Sequence, residues 1–149
     1  MKKFFFLIKA LLIYSFLNFS TIAKESDYFT KGVEFFKKKE FEKSKILFER
    51  DLAFNPKSEK SYLYLAKISK ENKNDEQLEM NLNNVLLINP NNDEALYMLT
   101  VLKIKQSDYN HAKELINTFN LVCKSFCSKK TEVEEKFNKL TPDDAKDNN

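Results

Sequence analysis

At 149 residues, with one glycine, three prolines, no tryptophan and 32% charged side chains, the chain has room for one domain and a composition that favours helix. Its net charge of +3 comes from Lys2, Lys3 and Lys9; the remainder carries 22 basic and 22 acidic residues, with Arg50 the sole arginine. That balance excludes the electrostatic footprint of a nucleic-acid binder, and a single glycine excludes a glycine-rich phosphate cradle.

In chain order, Met1-Lys2-Lys3 leads into an apolar run, Phe4–Phe19, broken by Lys9 and Asn18, which closes on Thr21-Ile22-Ala23. A charged start, an apolar middle and a small-residue end predict a secretory signal peptide over 1–23. The clean stretch Ala10–Leu17 is shorter than the roughly 20 residues that span a bilayer; an uncleaved inner-membrane anchor is the alternative. No cysteine follows the run, so a lipid-modified N-terminus is not supported. The short Lys-Lys signal and the Lys, Asn, Ile and Phe bias point to an AT-rich bacterial gene and to the periplasm.

Apolar periodicity predicts helices over 26–38 and 41–54, then 59–71 and 75–88, then 93–105 and 108–120. Asn55-Pro56 and Asn89-Pro90 stop the second and fourth, because proline disfavours helical geometry in the residue before it. Ser58, Asn92 and Asp108 are the candidate N-caps. A last helix over 129–140 carries a narrow stripe of Val133, Phe137 and Leu140 under a charged outer face, the pattern of a capping helix. Residues 141–149 have nothing to bury and are expected to be disordered.

The two prolines lie 34 residues apart, and segments 25–58, 59–92 and 93–126 share one apolar pattern. The first unit carries Tyr28, Gly32, Phe35, Phe41, Ser44, Phe48, Leu52 and Pro56. The second has Tyr62, Ala66, Leu78, Leu82, Val85, Leu86 and Pro90. The third has Leu96, Leu99, Thr100, Tyr109, Ala112, Ile116 and Phe119, without the proline. This phased set resembles the tetratricopeptide repeat (TPR) family, whose units place small residues at the eighth and twentieth positions and proline near the thirty-second. The resemblance implies an all-α solenoid of three helix–turn–helix units plus the C-terminal capping helix, spanning 24–140. Gly32 falls on the eighth position, where an added side chain would force the paired helices apart. Leu78 replaces the small residue at the twentieth position of the middle unit, Asp75 an aromatic, and Ser69 and Lys103 the first-helix aromatic.

The resemblance also implies a binding groove lined by the first helix of each unit. Carried over position by position, it gives Phe29, Val33 and Phe36 from the first unit, Leu63, Lys67 and Lys70 from the second, and Tyr97, Val101, Ile104 and Lys105 from the third. Members that clamp a terminal carboxylate use Lys and Asn where this chain has Phe29 and Val33, so that role is not carried over. An apolar strip beside Lys67, Lys70 and Lys105 suits a protein or peptide partner with apolar anchors and some acidic character; packing against the neighbouring unit or cap is the competing use of the same residues. The expected function is an exported protein-interaction adaptor. The alternatives are a self-associating structural subunit and an accessory to envelope-polymer processing.

Cys123 and Cys127 are the sharpest local chemistry. Exported chains with two cysteines favour a disulfide, but Cβ atoms four apart on a helix are ~5–6 Å from each other, beyond the ~3.5–4.5 Å a bridge needs. A bridge therefore requires the backbone to leave the helix between them; two free buried thiols are the other reading. No second ligand pair accompanies them, so zinc is not expected. His111 is the only histidine and has no partnered nucleophile. Glu134-Glu135 and Asp143-Asp144 are solvated charges, so no catalysis and no cofactor is expected.

Overall fold

A computed structural model describes residues 25–140; the signal peptide expected over 1–23 and the tail expected over 141–149 lie outside the described residues. Every regular element described is helical: α1 Asp27–Lys37, α2 Phe41–Phe54, α3 Glu59–Glu71, α4 Asp75–Ile88, α5 Asp93–Lys105, α6 Tyr109–Val122 and α7 Lys130–Leu140, with a 3-10 turn at Cys127–Lys129 before α7. They form three antiparallel pairs, α1/α2, α3/α4 and α5/α6, with α7 laid against α5 and α6. The all-α stack of three units and a capping helix is as expected, with boundaries within two residues.

Each pair closes through the same turn. Lys39, Lys73 and Ser107, spaced by 34, all adopt left-handed backbone, φ 60, 55 and 60. Around them the amide after the turn residue reaches back to the first helix, as in Glu40 N–H to Phe35 O, Asn74 to Ser69 O and Asp108 to Lys103 O. That pattern ends a helix on a left-handed residue and is usually filled by glycine; here lysine and serine hold it. Helix starts are capped as expected at Asn92, whose Oδ1 accepts from Ala95 N at 2.8 Å, and at Asp108, which accepts from His111 N at 3.4 Å. Ser58 is a correction: its hydroxyl donates to Ser61 Oγ, and it makes no side-chain cap.

Gly32 is needed for packing. A Cβ there would sit 2.7 Å from Phe48 Cε1, and Phe48 is fully buried, stacked on Tyr64 at 5.0 Å. The close approach also lets Ser44, the small residue at the twentieth position, donate to Gly32 O at 2.8 Å. Lys103, in an aromatic's place, is buried because its Nζ reaches Glu79 at 2.6 Å and Asp108 at 3.7 Å. Lys103 also holds the Glu79 carboxyl below its ordinary range.

A second repeated device fastens each unit to the next. Glu59, first in α3, accepts from the Asn89 and Asn92 side chains across the turn that follows its own unit, at 2.9 and 2.5 Å. Asp93, 34 residues on, accepts three backbone N–H groups, from Lys124, Ser125 and Phe126, at 2.7, 2.6 and 2.9 Å. The third unit lacks its proline, and its loop is wrapped around a carboxylate instead.

Candidate functional site

The first helices α1, α3 and α5 lie side by side and line one face of the stack. Three hollows run along it. One of about 530 Å³, between α1 and α3, has Phe29, Val33, Lys37, Lys60 and Tyr64 in its walls. The next, about 340 Å³, is bounded by Phe36, Lys67, Lys70, Glu71, Glu94, Tyr97, Met98 and Phe126. The third, about 230 Å³, has an apolar floor of Leu78, Met98, Val101 and Leu102, with Tyr97 beside it and Lys70, Lys73 and Lys105 around the mouth. Lys70, Tyr97 and Met98 line both of the last two, so these are one continuous depression.

The expected groove residues divide by what packs on them. Lys70 and Lys105 are exposed, and Val101 is half-buried at the third hollow. Lys67 is partly covered, paired with Glu94 at 3.0 Å and lying over the Tyr64 ring. Phe29 and Phe36 show an edge to the hollows, but their rings pack on Tyr64 at 5.7 and 5.1 Å, in an aromatic cluster with Phe48. Leu63 is half-buried against the central core and lines none of the three hollows. Ile104 is core, a correction to its placement in the groove: it is 2% exposed and packs with Val133 and Phe137 of α7. The cap converts that groove position into an interior one.

Tyr97 is held from the cap side. Its hydroxyl donates to Glu132 at 2.9 Å, and its ring meets Phe119 and Phe126. Burial, reinforced by Glu132, pushes the phenol above its ordinary range. Lys129, which lies over the Tyr97 ring, and the Tyr97 hydroxyl hold Glu132 below its own range. The ring is thus a fixed wall rather than a swinging one.

Charge on this face is uneven. Glu94 and Asp75 are neutralised by Lys67 and by Lys105, the latter at 2.5 Å. Lys70 and Lys73 have no carboxylate partner among the described residues. The depression therefore offers an apolar floor with the unpaired Lys70 and Lys73 at the mouth of one hollow and the Glu71 carboxylate in the wall of the adjoining one.

Met98, Leu78, Lys73 and Phe126 belong to this site and were not foreseen. Met98 sits outside the groove positions carried over from the family, Leu78 stood out only as a bulky residue in a small position, and Lys73 is placed by its left-handed turn. Phe126 is presented by the cysteine loop. Helix α6 ends at Val122; the next residue, Cys123, with φ −57 and ψ 142, breaks helical spacing, and the cysteine Cα atoms come to 5.3 Å with their sulfurs together. His111 is partly exposed beside Asp108. Among the described residues no group of three or more His, Cys, Asp or Glu could hold a metal ion.

The structure is similar to the first TPR of Spaghetti bound to an HSP90 peptide, at TM-score 0.67 and 13% identity over 76% of this chain and 90% of that one. It is similar to the TPR2B domain of yeast Sti1 in complex with an Hsp70 peptide, TM-score 0.66 and 16% identity over 76% and 93%. The C-terminal TPR-containing domain of a Plasmodium falciparum FK506-binding protein matches at TM-score 0.62 and 23% identity over 76% and 83%. The fold is a TPR-like solenoid. No protein-family model matches the sequence, and no curated protein does. At these identities the likeness extends to the TPR fold and not to what those domains bind.

Proposed function

We propose that the chain is a non-enzymatic, exported adaptor that holds an extended segment of a partner protein along the α1–α3–α5 face. The observation that carries this reading is the depression of about 230 Å³, with its floor of Leu78, Met98 and Val101 and its mouth at Lys70 and Lys73. It is large enough for one bulky apolar side chain, and the free ammonium groups favour an acidic residue beside that anchor. TPR domains of similar structure hold peptides, those of HSP90 and Hsp70, which supports a peptide occupant of the same face. Of the carboxylates on this face, Glu94 and Asp75 are tied to lysines, and Glu71 and Glu34 stand in separate hollows, which is not the close pair that acid–base chemistry uses.

The export part rests on residues 1–23 and predicts a mature N-terminus just after Ala23, read by N-terminal sequencing. In an oxidising compartment Cys123 and Cys127 are bonded, and the bridge holds the loop that presents Phe126 to the depression. Selection of peptides from a random display library tests the binding. Wild-type protein is expected to enrich peptides pairing a bulky apolar residue with nearby Asp or Glu. Lys70→Glu with Lys73→Glu, both exposed, should shift the enriched flank toward Lys and Arg. No enrichment, or the same peptides from both proteins, overturns the reading.

A further inference from the structure

The second helices carry a different surface. Met80 and Leu87 are one heptad apart on α4 and share its outer side; Ile46 and Leu121 stand 34 residues from them, at equivalent points of α2 and α6. Leu87 and Leu121 are 81% and 87% exposed, Met80 and Ile46 about half. Beside Leu87 is a hollow of about 340 Å³ formed with Pro56, Lys57, Tyr62, Asn84 and Ile88. Residues 80–92 and 115–123 contain no Asp, Glu, Lys or Arg, in a chain with 32% charged residues. Besides leucine, Met80 and Pro90, what they expose is amide and hydroxyl: Asn83, Asn91, Asn117 and Thr118.

We infer that this outer face is a self-association surface, where a second copy of the chain docks about a two-fold axis. In a two-fold interface the same patch meets itself, so any charge of one sign near the axis would face its own copy. The two segments carry no charge of their own, and such a surface meets itself with little of that penalty. Leucine then lies on leucine, and each asparagine side chain, both donor and acceptor, can pair with its counterpart. Depletion of charge at the centre is also what distinguishes protein interfaces from ordinary surface. An anionic lipid surface or an acidic partner would need several cations in the patch; these two segments supply none, and the hollow has Lys57. The inference uses the outer face alone and is independent of the peptide groove.

Sedimentation equilibrium of the full chain tests it, with wild type beside a Leu87→Glu, Leu121→Glu variant. The substituted side chains are exposed, so helicity by circular dichroism should be unchanged. Wild type is expected to be a dimer, and four like charges at the interface should raise its dissociation constant about a hundredfold. Mixing the Glu variant with a Leu87→Lys, Leu121→Lys variant should restore a mixed dimer. A wild-type monomer overturns the inference. So does association that survives the Glu substitutions, or a mixture that fails to reassociate.

Discussion

Asp51 and Val85 occupy the same position in successive repeats, each at the seam between its unit and the next, and each is buried. At the first seam the Asp51 carboxylate takes hydroxyl hydrogens from Ser26, the cap of α1, and from Ser61 of α3, so one charged group ties three helices. At the second seam Val85 meets Ala95, in Ser61's place, within an apolar core of Leu82, Leu96, Leu99 and Phe119. Burial alone would raise the Asp51 carboxyl, but hydrogen bonds from Ser26 and Ser61 outweigh it and hold the group below its ordinary value. The repeat register decides which positions are interior, while their chemistry is settled seam by seam, by whether donors stand ready.

Moving the carboxylate to the other seam should have the largest effect. Val85→Asp puts a charge among Leu82, Leu96 and Ala95 with no hydroxyl in reach, at a cost of about 5 kcal/mol, enough to unfold a domain of ordinary stability. Adding Lys60→Ser and Ala95→Ser, which copies the first seam's donors, should recover part of that loss in urea denaturation. Asp51→Ala should cost about 2 kcal/mol and also blunt the chain's acid sensitivity. With its folded pKa below the ordinary aspartate value, Asp51 stabilises fully above about pH 4, and that contribution is lost as pH falls further. Asp93 follows the same rule: burial would raise it, but the Phe126, Lys124 and Ser125 amides hold it low. Asp51→Ala should therefore flatten, but not abolish, the fall in midpoint below pH 4.

Gly32→Ala sharpens the comparison at the first unit. The gain in helix propensity, about 1 kcal/mol, is opposed by an overpacking cost of about 1–3 kcal/mol against the Phe48 ring, so a net loss near 1 kcal/mol is expected. Ala66 already fills the equivalent position at the second unit, next to the smaller Leu82. Lys73→Gly is the smallest effect and a gain, about 0.5–1 kcal/mol, because a left-handed lysine is replaced by the residue that adopts that backbone freely. It would appear as a raised denaturation midpoint with an unchanged slope.

The period, the helix ends and the three-unit stack were legible because proline, asparagine and small-residue positions act locally and recur every 34 residues. The groove was only half legible. Its register told which residues stand on the first helices, but Ile104 sank beneath α7 and Phe29 into an aromatic cluster through contacts with segments the register does not describe. Phe126 and the amides around Asp93 lie where the repeat ends, so no periodic signal reached them. Nothing local in the sequence marks Asp51, because its donors, Ser26 and Ser61, are 25 and 10 residues away.

Methionine reads both faces at once. Of Met1, Met80 and Met98, the last lines the depression and Met80 lies on the outer side of α4. Carbon-13 methyl spectra of the full chain, titrated with a display-selected acidic peptide, should move the Met98 signal saturably and leave Met80 in place. A saturable shift at Met80 with Met98 unmoved would contradict a partner bound along the first helices.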